Sequence, residues 1–350
     1  MKKKITVLAG DGIGPEIMAA GIAVLQAAAE NSETAFEFVE KPFGGAGIEA
    51  AGVGLPEDTL AACRNADAIL LGAIGGPVGS PWEKAKQTPE QGLLALRKEL
   101  NLFANIRPIA VPDALLPLSP VKESIVKGTD FIVVRELTSG IYFGKPRELL
   151  ATEAYDTCRY TEPEIERIAR KAFDIAMTRR KQVTSVDKAN VLASSKLWRK
   201  TVEKVALDYP EVQLTHQLVD SCAMRIVQQP TEFDVIVTEN LFGDILSDEA
   251  SVLPGTLGVL PSASHSEGGV SLYEPIHGSA PDIAGKDIAN PASMILSVVL
   301  MLRQSFGLEE MADRIEAAVF DVMNEGIVTS DLGGTATTTA FTAAVVAKLK

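Results

Sequence analysis

Short apolar runs alternate with helical patterns along this chain, and that alternation limits the folds open to it more than any other feature. Residues 5–9 form an apolar run closed by Gly10, as a buried strand should be. A helical pattern follows from Pro15 to about Glu30, with the proline in its first turn. Residues 36–39 and 68–73 read as further strands, and 56–63 and 90–100 as helices. Farther along, strands are expected at 131–134, 183–186, 212–218 and 235–238, with helices at 162–179, 194–207, 221–228 and 241–253. From Ala292 onward the pattern is nearly all helical. This predicts an α/β fold with a largely parallel sheet. At roughly 150 residues per domain, 350 residues suit two domains. No Pro/Gly/Ser linker, low-complexity tract or internal repeat marks a boundary, and the chain could visit a second domain and return to the first.

Lys and Arg number 33 against 46 Asp and Glu, a formal charge of −13. Nucleic acid and acidic membrane surfaces demand a basic footprint, so neither is an expected partner. A small anionic substrate stays open, because a local arginine cluster can reverse the field in one cleft. The three cysteines, Cys63, Cys158 and Cys222, are odd in number and far apart, which suggests neither a disulfide framework nor a zinc knuckle and fits a reducing cytosol. The basic start is followed by too short an apolar run for a secretion signal. The longest apolar stretch, 294–302, is too short to span a bilayer and reads as a buried helix. The expected location is cytoplasmic.

Gly10-Asp11-Gly12-Ile13-Gly14-Pro15 follows the first strand and opens a helix, but Pro15 stands where a dinucleotide fingerprint needs its third glycine. A tight strand-to-helix turn built of small residues is an equally good reading. Arg97 lies on a helix, Arg107 at a strand start and Arg135 at the end of an apolar strand. Three guanidiniums could converge on two carboxylates by paired hydrogen bonds, or each could belong to a structural ion pair. Asp244 and Asp248, four apart on an expected helix, share one face. They repel unless a cation or arginine lies between them. Mg²⁺ and Mn²⁺ prefer such oxygen ligands, Asp220 is a candidate third carboxylate, and a solvated acidic face is the competing reading. Lys188, ending a strand, could act as a general base, and Tyr142 could deliver a proton or simply pack. Residues 274–285 read as a loop rich in small residues whose amides could meet a phosphate. It contains His277, which could equally be a buried-turn histidine. Asp282 could accept from a ribose hydroxyl and would repel a 2′-phosphate, favouring NAD over NADP.

Together these segments resemble the β-decarboxylating dehydrogenases, the isocitrate/isopropylmalate dehydrogenase family. The most specific stretch runs from Glu90-Gln91-Gly92-Leu93-Leu94-Ala95-Leu96-Arg97 to Leu102-Phe103-Ala104-Asn105-Ile106-Arg107-Pro108, and the likeness extends from Gly10 to Gly334. It implies an isopropylmalate dehydrogenase-like fold: two α/β domains sharing a long mixed sheet, and not a Rossmann fold. Residues 1–102 with 257–350 would form the cofactor-side domain, and 103–256 a second domain with the dimer interface and an interlocking arm. It implies oxidative decarboxylation of 3-isopropylmalate with NAD and Mg²⁺ or Mn²⁺. Arg97, Arg107 and Arg135 match the substrate-carboxylate arginines, Tyr142 and Lys188 the catalytic pair, and Asp220, Asp244 and Asp248 the metal carboxylates, Asp220 also touching substrate. Glu90, Leu93, Leu94 and Val191 match the alkyl pocket; an apolar pair cannot solvate the third carboxylate of isocitrate, so chemistry and resemblance agree. His277, Gly278, Ser279, Ala280, Asp282, Asn290 and Asp331 match cofactor contacts. Residues matching Lys188, Val191 and Asp220 come from the partner subunit in this family, which implies a homodimer. Two departures stand out: Ser139-Gly140 where Gly-Gly is usual, and Ser221-Cys222-Ala223-Met224-Arg225 where Asn-Ala-Ala-Met-Gln is usual.

Overall fold

The computed structural model describes residues 2–30 and 32–350. In chain order, the elements begin with Lys2–Gly10 (β1), Gly14–Ala29 (α1), Ala35–Glu40 (β2), Gly45–Ala51 (α2), Glu57–Arg64 (α3), Ala68–Ala73 (β3) and Pro89–Glu99 (α4). There follow Ala104–Ala110 (β4), Glu123–Val126 (α5), Asp130–Glu136 (β5), Glu148–Leu149 (β6), Ala154–Tyr155 (β7), Glu162–Met177 (α6), Gln182–Asp187 (β8), Ala193–Ala206 (α7), Gln213–Leu218 (β9), Val219–Gln228 (α8), Val235–Thr238 (β10) and Asn240–Ala250 (α9). The chain closes with Pro261–His265 (β11), Leu272–Pro275 (β12), Ala292–Gln304 (α10), Glu309–Asn324 (α11) and Thr338–Leu349 (α12). It divides into two compact units, Met1–Asn101 with Thr256–Lys350, and Leu102–Gly255. Both are mixed α/β.

In the first unit the strand order is β2-β1-β3-β12-β11. All neighbours are parallel except β11, which runs antiparallel to β12. Residues 292–302 of α10 are buried without exception, so the longest apolar stretch is indeed a core helix. No helix of the described residues is long and apolar enough to cross a membrane. The glycine-rich turn after β1 is structural. The buried Asp11 carboxylate accepts the amides of Gly45, Ala46 and Gly75 at 2.8–2.9 Å. It thereby serves the first turn of α2, whose N-cap residue, Gly44, has no side chain to cap it. A Cβ on Gly12 would stand 2.0 Å from the Ser279 carbonyl oxygen, so the backbone here packs directly against that of Ser279.

In the second unit the order is β4-β5-β10-β8-β9, with β4 antiparallel to β5 and the rest parallel. Strands β5, β8 and β10 are almost wholly buried, as parallel strands covered on both faces are. The short hairpin β6–β7 stands apart from this sheet and leaves Leu149 exposed. Several elements lay outside the sequence reading, the short helix α5 and the β6–β7 hairpin among them. The strands β11 and β12 were not anticipated, and Glu274 and Pro275, read as loop, end β12. The helix α2 was also missed; its glycines and alanines carry no amphipathic signal.

Candidate active site

In the second unit, the polar groups gather where β4 and β5 meet α9. Arg135, at the end of β5, is only 3% exposed. Its Nε and Nη2 donate to Asn240 Oδ1 at 3.0 and 2.8 Å, and its Nη1 donates to Asp244. The Tyr142 hydroxyl donates to the other Asp244 oxygen at 2.7 Å, and the Arg135 guanidinium lies 5.8 Å from the Tyr142 ring centre. One helical turn on, Asp248 Oδ1 accepts from Arg107 Nη1 at 3.1 Å, and the same nitrogen reaches Ser247 Oγ at 2.7 Å. Arg107 Nε is fixed by Asn105 at 2.8 Å. Thus the two like charges on α9 are each answered by an arginine from a neighbouring strand.

This arrangement sets the protonation states. Burial alone would raise the Asp244 carboxyl, but the Arg135 charge, the Tyr142 hydroxyl and Arg107 outweigh it and hold it below the usual range. Burial and the Asp244 carboxylate push the Tyr142 phenol up to about 12, so it keeps its proton at neutral pH. Glu239 caps α9 through the Phe242 amide at 2.9 Å and accepts from the buried Tyr160 hydroxyl at 3.0 Å. Tyr160 in turn accepts the Asn240 amide at 2.9 Å.

Lys188 follows β8, and its Nζ lies 2.6 Å from Asp220 Oδ1 in the first turn of α8. This contact depresses the Asp220 carboxyl. No described bond joins that pair to Asp244 or Asp248. Val191, on the turn after Lys188, is 65% exposed. Among the described residues no group of three or more potential ligands is placed to hold a metal ion. What the chain does present is two carboxylates one turn apart, partly open to solvent. That hard-oxygen donor set fits Mg²⁺ or Mn²⁺.

In the first unit, Glu90, Leu93, Leu94 and Arg97 fall at i, i+3, i+4 and i+7 of α4, one stripe of the helix. Arg97 Nη2 donates to Glu274 Oε1 at 3.2 Å, both side chains being mostly buried. The 276–285 loop is pinned by the Ile13 amide, which donates to the Ser279 carbonyl at 2.8 Å. Ala280 holds φ at +37°, a region disfavoured for any residue with a Cβ. His277 Nδ1 lies 2.9 Å from the Gly278 carbonyl, while its buried Nε2 has no partner among the described residues. Burial disfavours its charged form. A neutral imidazole with one buried nitrogen unanswered fits a nucleoside ligand. Gly278 and Asp282 are exposed. Asn290 Nδ2 donates to Asp331 Oδ2 at 3.0 Å, and Thr256 and Thr329 also bond that carboxylate.

Sequence reasoning passed over Asn105, Glu239, Asn240, Ser247 and Glu274, which hold the predicted side chains in place. Glu239 and Asn240 follow the apolar strand β10 and Glu274 lies near the end of β12, which is a weak sequence signal; Asn105, near the start of β4, and Ser247, inside α9, carry none.

A family profile described as Isocitrate/isopropylmalate dehydrogenase matches residues 4–346. Over all 350 residues the chain is 63% identical to a protein named 3-isopropylmalate dehydrogenase from Listeria innocua, covering 99% of it. A protein of the same name from Streptococcus thermophilus is 62% identical over 349 residues, the full length of both. The crystal structure of an isocitrate dehydrogenase from Methylococcus capsulatus superposes with a TM-score of 0.87 at 36% identity, covering 99% of each chain. The chain belongs to the isocitrate/isopropylmalate dehydrogenase family.

Proposed function

We propose that this chain oxidises (2R,3S)-3-isopropylmalate with NAD⁺ to 4-methyl-2-oxopentanoate and CO₂, a cytoplasmic step of leucine biosynthesis. One observation carries the choice of substrate: α4 brings Arg97, Leu93 and Leu94 to one face of the helix. Such a surface suits a carboxylate next to a branched alkyl group and leaves a third carboxylate unsolvated. Relatives bearing the name 3-isopropylmalate dehydrogenase at 56–63% identity support the same reading.

On this reading Arg97, Arg107 and Arg135 bind the two substrate carboxylates, and Glu90, Leu93, Leu94 and Val191 face the isopropyl group. Asp220, Asp244 and Asp248 would hold Mg²⁺ or Mn²⁺. His277, Gly278, Ser279, Ala280, Asp282, Asn290 and Asp331 would line the adenosine side of NAD, placing the cofactor with residues 1–102 and 257–350. When bound, the cation supplies positive charge beside the C2 oxygen, and NAD⁺ supplies the acceptor for the C2 hydride. Lys188 accepts the C2 hydroxyl proton. As CO₂ leaves C3, the bonding electrons pass to the ketone oxygen of the β-keto acid. Tyr142 returns a proton to C3; the high pKa of its phenol keeps that proton available.

The working form is a homodimer in which Lys188, Val191 and Asp220 complete the partner's site, with the interface and arm in residues 103–256. Supporting this, Met224, Val227, Ile245 and Val252 on and just after α8 and α9 are exposed, as is Leu149 on the β6–β7 hairpin. Steady-state NADH formation with Mn²⁺ across 3-isopropylmalate, 3-methylmalate, isocitrate, homoisocitrate and tartrate tests the proposal. The highest kcat/KM should fall on 3-isopropylmalate, and NADP⁺ should replace NAD⁺ poorly. Preference for isocitrate or tartrate would move the chain to another branch of the family, and no turnover with any substrate would end the enzymatic reading.

A further inference from the structure

Three side chains on one face of α7, Ser195, Trp198 and Arg199, stand at i, i+3 and i+4. Each bonds β8 or the residue just behind it. Ser195 Oγ accepts the Lys188 amide at 3.0 Å, and Trp198 Nε1 donates to Ser185 Oγ at 3.2 Å. Arg199 Nε and Nη2 donate to the two oxygens of Asp187, both at 2.9 Å. Asp187 is 1% exposed, and its Oδ1 also accepts the Ala189 amide at 2.8 Å. The Lys188 carbonyl accepts from Val191 and Leu192 at 3.0 and 2.9 Å. Both peptide groups flanking the Lys188 Cα are therefore held, and only its side chain, ending 2.6 Å from Asp220, is left to move.

We infer that Asp187, Arg199 and Ser195 are positioning residues for Lys188. The inference rests on the reading of Lys188 as the base that takes the C2 hydroxyl proton. A base must come within about 3 Å of the proton it removes. The amine sits at the end of a long stem, so a backbone rotation of roughly 10° at Cα displaces it by on the order of 1 Å, a shift that can cost about a hundredfold in rate. A paired guanidinium–carboxylate contact resists such rotation because two parallel bonds fix an angle as well as a distance. Lysine at position 199 would keep the charge and lose the angle.

The test uses the full-length enzyme with Arg199→Lys, Ser195→Ala and Lys188→Ala, each followed through two reactions. One is oxidation of 3-isopropylmalate at saturating NAD⁺ and Mn²⁺. The other is decarboxylation of 2-isopropyl-3-oxosuccinate, which needs no hydroxyl proton removed. Arg199→Lys should lower kcat for oxidation about 10- to 100-fold while KM and the decarboxylation rate stay within about threefold. Ser195→Ala should shift the same way by less. Proportional losses in both reactions would show an ion pair that serves folding alone, and an unchanged kcat for oxidation would likewise overturn the inference. Should Arg199→Lys fail to fold by circular dichroism, the Ser195→Ala split decides. If Lys188→Ala keeps its oxidation rate, the base assignment itself has failed, an outcome read independently of the other two variants.

Discussion

Gly243→Ala sets two effects of similar size against each other at the centre of the candidate site. Gly243 lies in α9 between Phe242 and Asp244. A Cβ built there would stand 2.7 Å from Cγ and 2.9 Å from Cβ of Arg135, and 3.0 Å from Cγ2 of Thr238. Carbon atoms rest at about 3.5–4.0 Å, so about 1 Å must be relieved. The neighbours are not flexible tips. They are the stem of a buried arginine whose head is fixed by Asn240 and Asp244, and a strand threonine. Alanine in place of glycine favours a helix by about 1 kcal/mol, whereas overpacking costs about 1–3 kcal/mol. The net should be a loss of about 1 kcal/mol, which lowers Tm by roughly 2–4 °C for a unit of this size. Activity should suffer more. Moving Arg135 by about 1 Å can cost about a hundredfold, or about 2.7 kcal/mol of transition-state stabilisation. Thermal unfolding and kcat/KM for 3-isopropylmalate on the same preparation give both numbers. A variant more stable than the parent, with kcat/KM within about twofold, would show that α9 can retreat from β5 and would refute the argument.

Leu94→Ala should narrow the preference for 3-isopropylmalate over 3-methylmalate by roughly tenfold or more; unchanged relative kcat/KM would show that Leu94 does not face the alkyl group. Mixing inactive Lys188→Ala and Tyr142→Phe subunits should restore roughly a quarter of parental activity, since half the dimers are mixed and each carries one intact site; no recovery after subunit exchange would mean both residues act within one subunit. The Asp244 carboxyl is depressed in the fold, so it adds stability that is present above its unfolded pKa of about 3.9 and lost as pH falls through its own lower value. The stability gap between the parent and Asp244→Asn, measured by denaturant titration, should therefore be flat near neutrality and close below about pH 4; a gap that widens in acid refutes this. Calorimetric titration should find 3-isopropylmalate bound at least about tenfold more weakly in EDTA than with Mn²⁺, and equal affinities would detach the cation from substrate binding.

The α/β alternation was legible because buried parallel strands are often continuous apolar runs, and β5 and β10 are of that kind. The strand β11, Pro-Ser-Ala-Ser-His, has no β-branched or large apolar residue to reveal it. It is a strand because its register partner, Leu272–Pro275, offers a ladder. The glycine-rich turn was half legible. The missing third glycine argued against a dinucleotide loop, but nothing local shows that the Asp11 carboxylate holds the amides of Gly45, Ala46 and Gly75.

The site divides the same way, between what spacing carries and what only the fold supplies. Spacing put Asp244 and Asp248 on one face and could not decide between a solvated surface and a site. The deciding partners lie 109 residues away for Asp244 and 141 for Asp248. Nor does the overall charge of −13 describe the site. Arg107 and Arg135 are paired with Asp248 and Asp244, two positive charges against two negative. Arg97 is likewise paired, with Glu274. A dicarboxylate approaching Arg107 and Arg135 meets guanidiniums that already have carboxylate partners, so it gains little by exchange alone. On the proposed reading, the aspartates that hold the arginines in the free chain are the ones that ligate the cation. Binding the cation would loosen their grip on Arg107 and Arg135 and turn a neutral set into one with two positive charges in excess, matching the two negative charges of the substrate. On that reading, metal dependence would follow from the charge balance of these side chains as much as from the chemistry at C2.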